Sequence, residues 1–168
     1  MPQEIAIAST LLLLLISAWR DIATRTIPNF AALCILVLGL AARMPAGKLA
    51  LLLSAGTAAL LFVLLLIPYS CRAIGGGDIK IITAVAVGLA PIDTYRFIVA
   101  TALAGGLLGV AYLLLYRRRH KARGSTRTSA ISRVMAVEAW RISRRGPLPY
   151  GVAIAIGGAF VLLRPAGF

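Results

Sequence analysis

Five acidic side chains occur among 168 residues: Glu4, Asp21, Asp78, Asp93 and Glu138. Two of them stand where apolar chain meets polar chain, Asp21 just after the run 5–19 and Asp78 just before the run 79–90. An ionisable group at such a border is costly to keep, and is by default a functional hypothesis. Two carboxylates on one side of a membrane are an arrangement for acid/base activation of water toward a carbonyl. One takes a proton from the water while a protonated partner polarises the carbonyl. Topology alone leaves a second reading open, in which Asp21 offsets Arg20 and Arg25 and Asp78 caps a helix.

The sequence around each aspartate bears on that choice. Asp78 lies in Gly75-Gly76-Gly77-Asp78-Ile79-Lys80. Three glycines remove every Cβ beside the carboxylate, so another backbone can approach closely and the chain is free to adopt positive φ. A bare glycine loop would also serve as a hinge, and the G-x-x-x-x-G-K-[ST] spacing of a phosphate loop is absent. Asp21 is followed by Ile27-Pro28-Asn29. Pro28 suits the first turn of the next helix and biases Ile27 toward extended geometry, which keeps the intervening loop short. Lys80 reads as a snorkelling anchor or an electrostatic partner of Asp78.

The elements that must carry these residues are apolar runs at 5–19, 27–42, 49–67, 79–90, 97–116 and 148–163. The chain is 60 % hydrophobic and 14 % charged, a balance that suits lipid as the main solvent. Continuous apolar runs without strand-like alternation predict an all-α, polytopic membrane protein of about six transmembrane helices, with the fourth the least secure. One membrane domain covers residues 1–168. The first run carries no preceding Lys or Arg and no small-x-small cleavage site, so it reads as a retained span.

Six crossings put residues 20–26, 68–78 and 117–147 on one side of the membrane, and 43–48, 91–96 and both termini on the other. Of the 18 Lys and Arg, only Arg43, Lys48, Arg96 and Arg164 fall on the second side. The first side is therefore cytosolic and both termini lie outside. The polar loop 117–147 decides this, since without its basic residues the two sides tie. Residues 128–143 in that loop read as a short surface helix or a tether. The net charge of +13 then points to anionic lipid rather than nucleic acid as a partner. Cys34, Cys71 and His120 show no zinc-site spacing, so no metal and no cofactor is expected.

Asp-x5-Ile-Pro-Asn after a first span, followed by G-x-G-D-x-K before a later one, resembles the type IV prepilin peptidases, which are GxGD-type aspartic membrane proteases. Leu148-Pro149-Tyr150-Gly151-Val152-Ala153 is similar to that family's opening of its last helix. The resemblance spans nearly the whole chain. It implies that Asp21 and Asp78 are a catalytic pair, with Gly75, Gly76, Gly77, Lys80, Ile27, Pro28 and Asn29 shaping the loops or meeting substrate. It also implies a prepilin-like substrate, cut between a basic leader and an apolar helix at the cytosolic face of a bacterial-type inner membrane. Longer relatives methylate the new N-terminus and often carry paired cysteines. This chain begins almost directly with its first span, so it resembles the peptidase-only form found with Tad/Flp pili. N-methyltransferase activity is not expected of it.

Two other readings compete. A non-catalytic membrane scaffold of a pilus or secretion assembly would use the basic loop as a docking element. A small transporter would need its charges at mid-membrane rather than at the border, and no internal repeat supports one.

Overall fold

The computed structural model describes residues 3–24, 26, 28–119 and 150–164. These form six α-helices and one 3-10 turn: α1 (Gln3–Thr24), α2 (Asn29–Arg43), the turn Met44–Ala46, α3 (Lys48–Ser70), α4 (Gly76–Val87), α5 (Pro91–Arg119) and α6 (Tyr150–Leu162). Among the described residues there is no strand. Ile27, Arg25 and the expected surface helix at 128–143 lie outside them.

Four stretches are long and apolar enough to cross a membrane: Glu4–Thr24, Asn29–Ala46, Lys48–Ser70 and Pro91–Leu114. Helix α4 has 12 residues and α6 has 13, fewer than the ~20 of a perpendicular crossing. Of the expected six spans, all exist as helices and four have crossing length. The short α4 is central. Asp78, Ile79, Ile81, Ile82 and 84–87 are all buried, because α2, α3 and α6 pack around it. A helix apolar on every side is one surrounded by protein or lipid, and α4 is surrounded by protein. By contrast, α3 buries only Ser54 and Ala58, and Leu52, Leu60 and Ile67 point outward. An exterior this apolar suits lipid contact.

Several boundaries differ from those read off the apolar runs. Helix α1 continues through Asp21 to Thr24, so Asp21 occupies its last turn rather than a loop. Residues 91–96 form the start of α5 rather than a connection, and α3 carries Pro68 inside it before ending at Ser70. Pro28 sits at the N-cap of α2, with φ −69° and ψ 133°, one residue before the first turn. Helices α1 and α3 run past the ends of their apolar stretches and α5 begins before its own, which keeps the backbone groups there hydrogen-bonded.

The core joins α1, α2, α4, α5 and α6 through Leu14, Ile35, Ile81, Phe97 and Ile154. Small residues set how closely the helices approach. A Cβ on Gly39 of α2 would stand 3.0 Å from Gly88 Cα at the end of α4. One on Gly157 of α6 would stand 2.8 Å from the Thr101 backbone nitrogen on α5. Helix α6 thereby lies between α1 and α5, making its main contacts with both.

Helix α3 ends in a Schellman turn that redirects the chain toward Asp78. Ala73 N–H donates to Pro68 O at 2.9 Å and Arg72 N–H to Tyr69 O at 2.9 Å, with Arg72 in the left-handed region at φ 56°. That position favours glycine. The left-handed conformation costs a non-glycine residue about 1–2 kcal/mol, while glycine's greater freedom when unfolded takes back about 0.5–1 kcal/mol. Arg72→Gly is therefore expected to stabilise the protein by up to about 1 kcal/mol. Thermal unfolding in detergent measures this, and a lowered Tm would contradict it.

Candidate active site

The two aspartates enter the site from opposite helix ends. Asp21 lies in the last turn of α1 and Asp78 in the first turn of α4. Both are buried, at 7 % and 9 % exposure. Each carboxylate is approached closely by backbone.

For Asp21 that backbone belongs to α6. Gly151 N–H donates to Asp21 Oδ2 at 2.8 Å across 130 residues of sequence. Gly151 is in the first turn of α6, where an N–H has no intrahelical acceptor, so the carboxylate satisfies a donor that would otherwise be orphaned. The contact also needs glycine, because a Cβ on residue 151 would lie 2.9 Å from Asp21 Cβ and 3.0 Å from Oδ2. Tyr150, one residue earlier, lays its ring over Gly105 of α5, where a Cβ would meet it at 3.4 Å. Together these seat the start of α6 between α1 and α5. Ser17, one turn before Asp21 on the same face, is 1 % exposed.

For Asp78 the approaching backbone is its own glycine run. Gly75 is the N-cap of α4, and its carbonyl accepts from Asp78 N–H at 3.1 Å and Ile79 N–H at 3.3 Å. Asp78 folds back over it, so that a Cβ on Gly75 would stand 3.0 Å from Oδ2. Gly76 leaves room for the Tyr69 ring, which a Cβ there would meet at 3.4 Å. Gly77 sits half-buried in the first turn. Positive φ is not what this run supplies: Gly75 is extended at φ −75° and ψ 146°, and Gly47 is the one glycine with positive φ among the described residues. Its glycines serve close approach instead.

A second hydrogen bond ties the two halves together. Lys80 Nζ donates to Asn29 Oδ1 at 2.9 Å, joining the start of α4 to the start of α2. The lysine, expected to anchor in lipid or to pair with Asp78, has the Asn29 amide as its acceptor. Since α2 begins five residues after α1 ends, this bond places the Asp21 end of α1 and the Asp78 end of α4 at one end of the helical assembly. Three motifs far apart in sequence thus meet there: Asp21 with Pro28-Asn29, the Gly75–Lys80 run, and Tyr150-Gly151. Asp93 lies elsewhere, at the start of α5, where Arg96 Nη1 meets Asp93 Oδ1 at 3.1 Å.

The sequence profile of the type IV leader peptidase family matches residues 8–112. The chain belongs to that family. The match covers α1 from residue 8, α2 to α4 and most of α5, and so includes both aspartates. No curated protein and no solved structure matches the chain significantly. Membership makes this a protease of the prepilin-peptidase kind. Tyr150 and Gly151 lie beyond the matched residues, and the Gly151 bond to Asp21 brings them to the site. The Gly151 contact was not anticipated from the sequence. Its signal there was a glycine opening an apolar run directly after Pro149-Tyr150.

Proposed function

We propose that the chain is a membrane-embedded aspartic endopeptidase that removes the leader of type IV prepilin-like precursors at the cytosolic face, with Asp21 and Asp78 as its catalytic pair. The observation that supports this reading is that Asp21 and Asp78 lie at one end of the helical assembly, with Lys80 Nζ bonded to Asn29 and Gly151 N–H to Asp21.

The reaction follows from two carboxyl groups and one water. One carboxylate takes a proton from water as its oxygen attacks the scissile carbonyl carbon. The protonated partner donates to the carbonyl oxygen, giving a tetrahedral intermediate. Collapse breaks the C–N bond and passes a proton to the leaving nitrogen. The leader keeps a new carboxyl group and the pilin a new amino terminus. Gly151 N–H occupies one lone pair on Asp21 Oδ2, which favours Oδ1 for proton transfer and helps to orient the carboxyl group. Catalysis needs no cofactor in this scheme.

Co-expression with precursors bearing a basic leader ahead of an apolar helix tests the function. The expected result is a shortened product whose mass corresponds to leader loss. A scaffold would leave every precursor intact.

The cytosolic orientation rests on the distribution of Lys and Arg. In a variant lacking Cys34 and Cys71, Ala46→Cys is expected to react with a membrane-impermeant maleimide in intact cells, and Ser125→Cys to remain unlabelled until the membrane is opened. The opposite pattern would overturn the orientation.

A further inference from the structure

The end of the molecule opposite the aspartates holds a cavity of about 340 Å³. Its wall is formed by the N-terminal half of α1, the C-terminal ends of α2, α4 and α6, and the first turn of α5. The inner part is apolar, reaching Ile35 and Val85. The rim is charged, with Arg43, Arg96, Arg164 and Asp93. Those three arginines are three of the four basic residues assigned by the charge distribution to the non-cytosolic side. The positive-inside tendency disfavours Lys and Arg there, so their convergence on one cavity calls for a ligand that rewards it.

The arginines differ in how they are held. Arg43 Nε donates at 2.9 Å to Ser54 Oγ, and Ser54 is fully buried, which orients that guanidinium. Arg96 is engaged with Asp93, the only acidic residue on the rim among the described residues. Arg164 lies in the turn after α6, and its guanidinium has no acceptor among the described residues. Among the described residues, one carboxylate against three guanidinium groups leaves a double positive excess at the mouth of a pocket of mixed polar and apolar lining. The first turn of α5 borders the same mouth, and a helix N-terminus favours anions.

We infer that this cavity binds an anionic glycerophospholipid of the outer leaflet, its phosphate on Arg43, Arg96 and Arg164 and the upper part of an acyl chain against Ile35 and Val85. Arginine suits a phosphate because its planar fork donates two parallel hydrogen bonds. A volume of about 340 Å³ is within the range of a small-ligand pocket, enough for a headgroup and a few methylenes. The inference rests on the membrane reading of the proposed function but not on the aspartate pair. A lipid held here would join α1, α2, α4, α5 and α6 at the end remote from catalysis.

Purified protein in neutral detergent, titrated with phosphatidylglycerol, phosphatidylcholine or inorganic phosphate, tests this by thermal unfolding and by native mass spectrometry. Phosphatidylglycerol is expected to bind and raise Tm, phosphatidylcholine to bind about tenfold more weakly or worse, and inorganic phosphate to leave Tm unchanged at matched concentration. Arg164→Gln, which breaks no contact within the described protein, is expected to weaken phosphatidylglycerol binding by about tenfold. Lys48→Gln, on the same side but away from the cavity, is expected to leave binding unaltered. Leader cleavage by Arg164→Gln is expected to match wild type, so loss of the lipid site and loss of catalysis are read separately. Equal binding of the two lipids, or unchanged affinity in Arg164→Gln, would overturn the inference. Stabilisation by inorganic phosphate alone would replace it with a free-anion site. Resistance to carbonate extraction from membranes checks the membrane reading independently, and extraction of the chain would overturn both.

Discussion

Asparagine at position 21 or at position 78 is expected to lower leader cleavage by about 10²–10⁴-fold, the range of a lost general acid or base. The substitution keeps size and shape, and in Asp21→Asn the amide oxygen can still accept the Gly151 N–H bond that Asp21 Oδ2 receives at 2.8 Å. What it removes is the capacity to take or give a proton. The double variant is expected to be no slower than the worse single one, because groups acting on one bond fail together rather than additively. Asp93→Asn is the matched control. That carboxylate is engaged by Arg96 at the other end of the molecule, and its loss is expected to leave the rate within about twofold of wild type. Cleavage rates on one precursor, normalised to the amount of inserted protein, distinguish these outcomes. Wild-type activity in either single variant would remove that residue from the mechanism.

Gly151→Ala is expected to reduce cleavage by about 100-fold with little change in stability. The new Cβ would stand 2.9 Å from Asp21 Cβ and 3.0 Å from Oδ2, closer than real Cβ contacts, so either the carboxylate or the start of α6 must shift. A displacement near 1 Å in a reacting group costs on the order of 10²-fold in rate. Alanine is the better helix former, by up to about 1 kcal/mol, which offsets part of the cost of that shift. A large loss of rate with little change in Tm therefore marks displacement of the carboxylate rather than generic damage to α6. Gly56→Ala, where nothing lies within 4 Å, is expected to leave the rate unchanged. A Gly151→Ala protein with wild-type kcat and a wild-type Tm would show that the α6 contact does not position Asp21.

Much of this arrangement was legible in the sequence because hydrophobic runs and rare acids are conspicuous in a membrane chain. Asp21 and Asp78 stood out as charges at the borders of apolar segments, and their neighbouring motifs pointed to the family that the profile match shows. Helix ends were less legible. Asp21 is helical because α1 keeps satisfying its backbone groups after its apolar residues stop, and composition carries no mark of that. The ranking of the helices was hidden for a different reason. Lipid tails and protein cores are alike in polarity, so the buried α4 and the outward-facing α3 look equally apolar as strings. The Gly75–Gly77 run announced close approach and left-handed backbone alike, and only the first is present. The contact of Gly151 with Asp21 spans 130 residues, and no local spacing encodes a pairing that folding alone creates. Lys80 looked like a partner for its near neighbour Asp78, yet its acceptor is Asn29, 51 residues away.

The central claim is that water, activated between two carboxyl groups, cuts the leader directly. Purified protein and a prepilin-like precursor incubated in ¹⁸O-labelled water, with products and protein followed by mass spectrometry, test it most directly. The account predicts one ¹⁸O in the new carboxyl group of the leader, an unlabelled new amino terminus on the pilin, and no leader-sized adduct on the protein at any time, including at the exposed Cys71. An intact precursor after prolonged incubation, or a covalent leader–protein intermediate, would contradict it.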